Sequence, residues 1–431
     1  MPRITRWEPE DEQFWKTEGK RHASRNLWIS VPALLLAFAV WQIWSVTAAS
    51  LNDIGFSFTN SQLFTLAALP GLTGATLRIF YTFVVPLFGG KNWTIFSTAT
   101  LLIPAIGIGI AVQNPETSFL TMAILAALCG LGGGNFASSM ANISFFYPRK
   151  AKGTALGINA GIGNLGVSAV QFLAPLVVTV GIFGAVAGNP QILPDGTQVW
   201  LQNAAFIWVI PIILTLIAAF FWMDNLPGTK ASVKEQAVIL KKKHTWVMTW
   251  LYVMCFGSFI GYSAAFPLLM RTEFPEVNAV QYAFLGPLVG ALIRPVGGWI
   301  SDKIGGAVVT FWDIIIMILA TIGVIYYYNV GNFTGFLIMF LILFVTTGIA
   351  NGSTFRMIPY IFDNQKEAAA VIGWTSAIGA YGAFIIPKVF GWSIDTTGTA
   401  NLALYIFIAY YAISLAITWY YYSRKNAEVK C

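Results

Sequence analysis

Residues 130–166 read GLGGGNFASSMANISFFYPRKAKGTALGINAGIGNLG. The run is dense in glycine and carries Asn135, Asn142, Asn159 and Asn164 inside a chain that is otherwise strongly apolar. In a soluble helix each such glycine costs about 1 kcal/mol relative to alanine. In a bilayer, water no longer rewards burying large side chains, and small residues let helix backbones touch. Gly153, Gly157 and Gly161 recur every fourth residue, so they form one smooth stripe on a helix. YPRKAKG at 147–153 separates two apolar arms as a tight basic turn. The stretch therefore predicts a helical hairpin within a membrane, with amides facing its interior.

Composition agrees. The chain is 57% hydrophobic and 10% charged, with a mean hydropathy of +0.68, whereas soluble domains carry about 25% charged residues. This is an integral membrane protein whose surroundings are a lipid bilayer. The net charge of +7 does not point to nucleic acid, because the cations are few and sit in one set of loops. Cys129, Cys255 and Cys431 form no spacing pattern, so neither a disulfide framework nor a metal site is expected. The first 26 residues are polar, and the first apolar run starts near Leu27, which argues against a cleaved signal peptide.

A span needs about 20 apolar residues. Twelve segments qualify: 27–49, 61–85, 93–113, 117–147, 151–184, 200–223, 245–270, 278–300, 306–328, 333–361, 368–391 and 400–422. The N-terminus, the even-numbered loops and the C-terminus hold 20 of the 25 Lys and Arg residues, and the odd-numbered loops hold only Arg271. By the positive-inside rule both termini face the cytoplasm. The expected organisation is a cytoplasmic segment (1–26), a six-helix half (27–223), a cytoplasmic linker (224–244), a second half (245–422) and a tail (423–431). The linker's KASVKEQAVILKKK core, with Lys230, Lys234 and Lys241, reads either as an amphipathic helix on the membrane surface or as a solvated connection.

The linker divides two repeats. A shift of 216 residues pairs Arg78 with Arg294, Gly89-Gly90 with Gly305-Gly306, Gly132 with Gly348, and Asn135 with Asn351. The same shift pairs Phe146 with Phe362, Lys150 with Lys366, Gly157 with Gly373, Gly163 with Gly379, and Gly166 with Gly382. Six spans plus six, both entering from the same side, make a parallel repeat, the arrangement of major facilitator transporters with substrate bound between halves near the midplane. The run GGWISDKIGG at 297–306 matches that superfamily's gating loop through Gly298, Asp302, Lys303, Gly305 and Gly306. In the first half Pro86 stands where Asp302 falls.

With Lys152 counted in the basic turn at 147–153, four cations lie within spans: Arg78, Arg294, Arg356 and Lys388. Each costs roughly 2.5–3.5 kcal/mol at a helix centre. Arg356 and Lys388 lie near span ends, where snorkelling to the headgroups is expected. Arg78 and Arg294 each precede a loop glycine pair by 11 residues, roughly 16 Å along a helix, too far for that. The one acid inside an apolar span is Asp313, near the start of the ninth. Two buried guanidiniums with almost no counter-charge point to anion binding. At 4 Å an anion gains on the order of 4 kcal/mol from each at an effective dielectric of 20, and the guanidinium fork suits planar oxyanions. The four asparagines offer neutral hydrogen bonds, and Phe136, Tyr252, Phe256 and Tyr262 offer aromatic walls; each also has an ordinary packing role open to it.

These residues resemble the signature of the nitrate/nitrite porter family, NarK-type, within the major facilitator superfamily. AIGAYGAFIIPK at 377–388 is similar to that family's second glycine-rich segment. The resemblance covers essentially the whole membrane region. It implies transport of nitrate and nitrite across the cytoplasmic membrane of a bacterium, with the anion clamped by Arg78 and Arg294. It further implies that Phe136 and Phe256 sandwich the anion, that Asn164 donates to it and that Tyr252 is a further contact. Glycine-rich faces, among them Gly132, Gly157, Gly161, Gly163, Gly166, Gly373, Gly379 and Gly382, become the helix-packing and sliding surfaces of alternating access.

The family holds both exchangers and proton-coupled importers. Apart from Asp313 near the start of the ninth span, no Asp, Glu or His stands within the spans, since His22 and His244 fall outside them, so exchange is favoured over symport. A facilitator for another small anion such as formate or oxalate, and a receptor or channel on the same scaffold, are the alternatives. No catalytic constellation or cofactor motif is present in the sequence, so no enzyme and no cofactor are expected. The expected unit is the monomer.

Overall fold

The computed structural model describes residues 4–227, 237–362 and 365–431. Lys230, Lys234 and the first half of the expected linker helix, 230–236, lie outside the described residues, and the second half forms a 3-10 turn at Ala237–Lys241. Twelve described helices are long and apolar enough to cross a membrane: α1 Glu12–Ser50, α2 Asn60–Tyr81, α3 Gly90–Ala111, α4 Phe119–Phe146, α5 Lys150–Val177 and α6 Asn203–Trp222, then α7 Lys243–Glu273, α8 Val280–Ile304, α9 Gly306–Asn329, α10 Phe333–Ile361, α11 Ala370–Thr397 and α12 Asn401–Ser423. The chain divides into two compact units, residues 1–58 with 72–233, and 59–71 with 234–431. Helix α2 is shared, its first part belonging to the second unit and the rest, from Leu72, to the first.

In the first unit the hairpin forms as Phe119–Phe146 followed by Arg149–Val177. Pro148 sets the break. It forces Tyr147 into an extended backbone and caps the next helix from a position where no N–H is needed. Gly132 lies against the Ala37 backbone of α1, and Gly166 against the backbone at Leu35 and Ala39. Gly163 meets Leu34, and Gly133 meets Trp41 and Gly74.

The second unit repeats the pattern at the same offset. Gly348 lies against the Gly290 backbone, Gly382 against Gly257, and Gly379 against Tyr252 and Phe256. The stripe differs from its expectation. No described atom lies within 4 Å of a Cβ built on Gly153, Gly157, Gly161 or Gly373. Those positions face open space, and the close helix contacts fall one to two turns later, at Gly163 and Gly166. The loop glycines are also duplicated in conformation, Gly89 at φ 84 and ψ 145, Gly305 at φ 94 and ψ 137, a region essentially restricted to glycine.

Three boundaries depart from apolar length. Helix α1 begins at Glu12, fifteen residues before the apolar run, capped by Asp11 accepting from the Gln13 and Phe14 amides. The polar lead-in is held because Trp7 packs on Phe146 at 5.3 Å and donates to the Phe145 carbonyl. Helix α5 stops at Val177 rather than 184, because the following loop returns to cap it. Asn203 Nδ2 donates to the Val177 and Val180 carbonyls, and the Trp200 amide donates to Val178. That loop carries a small antiparallel pair, β1 Gln191–Ile192 and β2 Gln198–Val199. Helix α2 ends at Tyr81, and the chain completes the span through a short helix, Val84–Phe88.

The end of α6 is clasped to α1. Asp224 accepts from Arg25 at 2.5 Å, His22 at 2.8 Å and Asn26 Nδ2 at 3.1 Å, while its amide donates to Asn26 Oδ1. Burial opposes its ionisation, but the hydrogen bonds from His22 and Arg25 outweigh it and hold the carboxyl below its ordinary value. A depressed carboxylate contributes stability above its unfolded pKa, and that stability is lost as pH falls through the folded value. Thermal melting should therefore show the wild type losing its advantage over Asp224→Asn as pH drops below about 4. A constant gap across that range contradicts the ionised clasp.

Candidate anion-binding site

Each unit carries one of the two arginines. In the first, Arg78 lies at the end of α2 and is fully buried. Its Nε donates to the Gly133 carbonyl at 3.1 Å, inside the glycine run. Its guanidinium carbon stands 5.3 Å from the Trp41 ring centre and 4.9 Å from that of Phe136. Phe38 backs both rings edge-on, at 5.5 Å from Trp41 and 6.1 Å from Phe136. Trp41 reaches this place because Gly74 and Gly133 leave no side chain in its way. Desolvated cation–π contacts contribute about 2 kcal/mol, a partial offset for burying the charge.

In the second unit Arg294 follows a break in α8, between Leu285–Leu292 and Arg294–Ile304. Its guanidinium carbon lies 4.2 Å from the Phe259 ring centre and 5.6 Å from Phe256. Phe256 sits in a π-helical turn, Val253–Gly257, which interrupts the regular winding of α7; such turns are frequent at functional sites. Tyr252 stacks on Phe256 at 5.5 Å and on Phe355 at 4.8 Å, and its hydroxyl accepts from Asn351 at 3.0 Å. Arg294 Nε and Nη2 are buried with no hydrogen-bond acceptor among the described residues. Enclosed donors without a partner are uncommon in folded proteins.

The amides are placed differently from expectation. Asn164 is buried, and its Nδ2 donates to the Ala160 carbonyl at 2.7 Å, one turn back on its own helix. Its Oδ1 is the enclosed atom without a partner among the described residues, so Asn164 offers a donor to an anion only after its amide turns over. Asn159 is tied to Ser139 at 2.9 Å, and Asn142 lies against Gly90. Tyr262 is not beside Arg294 but in a buried hydroxyl cluster with Tyr411 at 2.5 Å, which in turn meets Ser258.

Both peripheral cations have protein partners. Arg356 is held by an ion pair to Asp302 and a bond to the Tyr360 hydroxyl, so the gating-loop acid ties the end of α8 to α10. Gly306 of that loop starts α9 against Met357 and Ser353, while Gly298 faces open space. Lys388 donates to Thr65 Oγ1 at 2.8 Å. Trp41 and Phe259 escaped sequence reading. Phe259 follows Phe256 by three residues, a spacing that was legible; nothing distinguishes Trp41 from the other tryptophans before Arg78 is seen against it.

The Major Facilitator Superfamily profile matches residues 29–387. A protein of Salmonella typhimurium named nitrate/nitrite transporter NarU is 48% identical, aligned over 99% of this chain and 97% of that protein. A Thermus thermophilus protein named probable nitrate/nitrite antiporter NarK2 is 42% identical, over 99% of this chain and 98% of that one. The chain belongs to the nitrate/nitrite porter family of the Major Facilitator Superfamily. Solved transporter structures share the porter's fold. A D-xylose–proton symporter superposes with a TM-score of 0.70 at 14% identity, covering 92% of the porter and 97% of that chain. A bacterial homologue of the lysosomal transporter Spinster gives 0.68 at 16%, covering 93% and 97%. Its named relatives are transporters, and the porter is one rather than an enzyme.

Proposed function

We propose that this porter carries nitrate and nitrite across the inner membrane of a bacterium, both termini cytoplasmic, by exchanging one for the other. Arg78 and Arg294, one from each unit, hold the anion; Phe136, Phe256 and Tyr252 wall it, and Asn164 responds to it. The observation that carries the proposal is the pair of aromatic-flanked guanidiniums, Arg78 buried and Arg294 half-buried, with the enclosed Nε and Nη2 donors of Arg294 idle among the described residues. A planar monovalent oxyanion supplies the missing acceptors and matches the flat donors on both sides. The names of the close relatives point to the same substrates. Open faces at Gly157 and Gly373 leave room for neighbouring helices to close on them as the carrier reorients.

In proteoliposomes, uptake of isotopically labelled nitrate should be blocked by nitrite but not by sulfate or phosphate, which are tetrahedral and carry more charge. Equal inhibition by formate and nitrite would indicate a broader small-anion facilitator, and no nitrate uptake at all would refute the substrate.

One observation favours proton coupling as a second reading. Asp313 in α9 is 4% exposed, and its Oδ2 is enclosed without a hydrogen-bond partner among the described residues. A carboxyl so placed is far easier to bury as the acid, which makes it a candidate proton carrier.

A further inference from the structure

Inside the first unit, α1, α3 and α4 line a small, partly open cavity. Leu34, Thr94, Ser97, Thr98, Asn135 and Ser138 line it. The room it leaves for the centre of a water molecule is about 10 Å³, close to the least that one water needs. Its walls are unusually polar for a membrane interior. Asn135 and Thr98 are 5% and 1% exposed, and Asn135 Oδ1 and Thr98 Oγ1 are both buried with no hydrogen-bond partner among the described residues. Two more wall hydroxyls are poorly used. Ser97 Oγ reaches the Thr94 carbonyl only at 3.4 Å, and Ser138 Oγ reaches the Asn135 carbonyl at 3.3 Å.

Buried polar groups of this kind are matched by protein or by ordered water, and a roomy site with two to four polar partners is where water stays. We infer that the cavity holds one ordered water bridging Thr98 to Asn135, and that this bridge positions the α4 face that meets Arg78. The water accepts from the Thr98 hydroxyl and donates to Asn135 Oδ1, with the Ser97 and Ser138 hydroxyls within the same walls. If the Asn135 amide turns over, the water accepts from Nδ2 instead, so the bridge survives either orientation. A metal cation fits less well. Every oxygen in the wall is neutral, and the next residue after Asn135 is Phe136, whose ring lies 4.9 Å from the Arg78 guanidinium.

The consequence for transport follows from adjacency along α4. Gly133 supplies the carbonyl that Arg78 Nε bonds, Asn135 meets the water, and Phe136 covers the guanidinium. Anchoring Asn135 fixes the rotation of this turn. Thr98 is therefore a positioning residue that acts through water and α4, without touching the anion. Its effect on the anion rests on Arg78 being a ligand, whereas the water itself does not.

Thr98→Val removes the hydroxyl at nearly constant volume. A structure of the full-length wild type at better than about 2 Å should show a peak in hydrogen-bond reach of both Thr98 Oγ1 and Asn135. That peak should be absent in Thr98→Val. The KM for nitrate should rise about threefold or more in the variant with kcat within about twofold, and Thr98→Ser should restore both. An empty cavity in the wild type, a direct Thr98–Asn135 bond, or five or six oxygens at sodium distances would overturn the water. A wild-type KM in Thr98→Val would overturn the positioning role. If Thr98→Val fails to fold, the wild-type density and the Thr98→Ser KM decide. A water present in a protein whose Arg78 variants still bind nitrate normally would break the clamp and leave the bridge standing.

Discussion

Replacing Arg78 or Arg294 by lysine should lower nitrate uptake at least about 100-fold, with the protein inserted at wild-type levels. The charge is kept, so the loss measures geometry. Lysine cannot present two parallel N–H groups to an oxyanion, nor lie flat between rings. Arg78 would also lose the Nε bond to the Gly133 carbonyl and its place between Trp41 and Phe136. Arg294 would lose its seat on Phe259. Hydrogen bonds to charged groups are worth about 1.5–3 kcal/mol each, and about 1.4 kcal/mol is tenfold, so losing one or two suffices. Lysine and arginine cost about the same to insert at a helix centre, so abundance in the membrane should hold. The double variant should be little worse than either single, because residues that act as a unit are not additive. Wild-type-like uptake in either variant removes the clamp.

Much of this architecture was legible before any coordinates, and for identifiable reasons. Twelve spans follow from apolar length, because a bilayer interior imposes it. The paired arginines and glycine corners follow from a single offset, and Gly89 and Gly305 share a backbone conformation that only glycine takes readily. What could not be read depends on contacts between distant segments. The polar lead-in of α1 is helical because Trp7 packs on Phe146, and α5 is cut short because Asn203 returns to cap it. Asn164 reads as a donor from its motif, yet its donor is turned to Ala160. The glycines at 153, 157 and 161 have the spacing of a packed stripe and face open space. Spacing says which residues share a face; it does not say what stands opposite that face.

Under the proposed clamp, exchange follows from charge. Without an anion a carrier clamping through both arginines holds two like charges whose repulsion opposes bringing them together. One bound monovalent anion cancels much of that, so the loaded carrier should reorient far more readily than the empty one. The decisive measurement is counterflow in proteoliposomes with labelled nitrate outside. Vesicles loaded with nitrite should take up nitrate rapidly with no pH gradient, and empty vesicles should take up almost none. Brisk uptake into empty vesicles driven by outside acid, and lost in Asp313→Asn, would contradict exchange and establish proton coupling in its place.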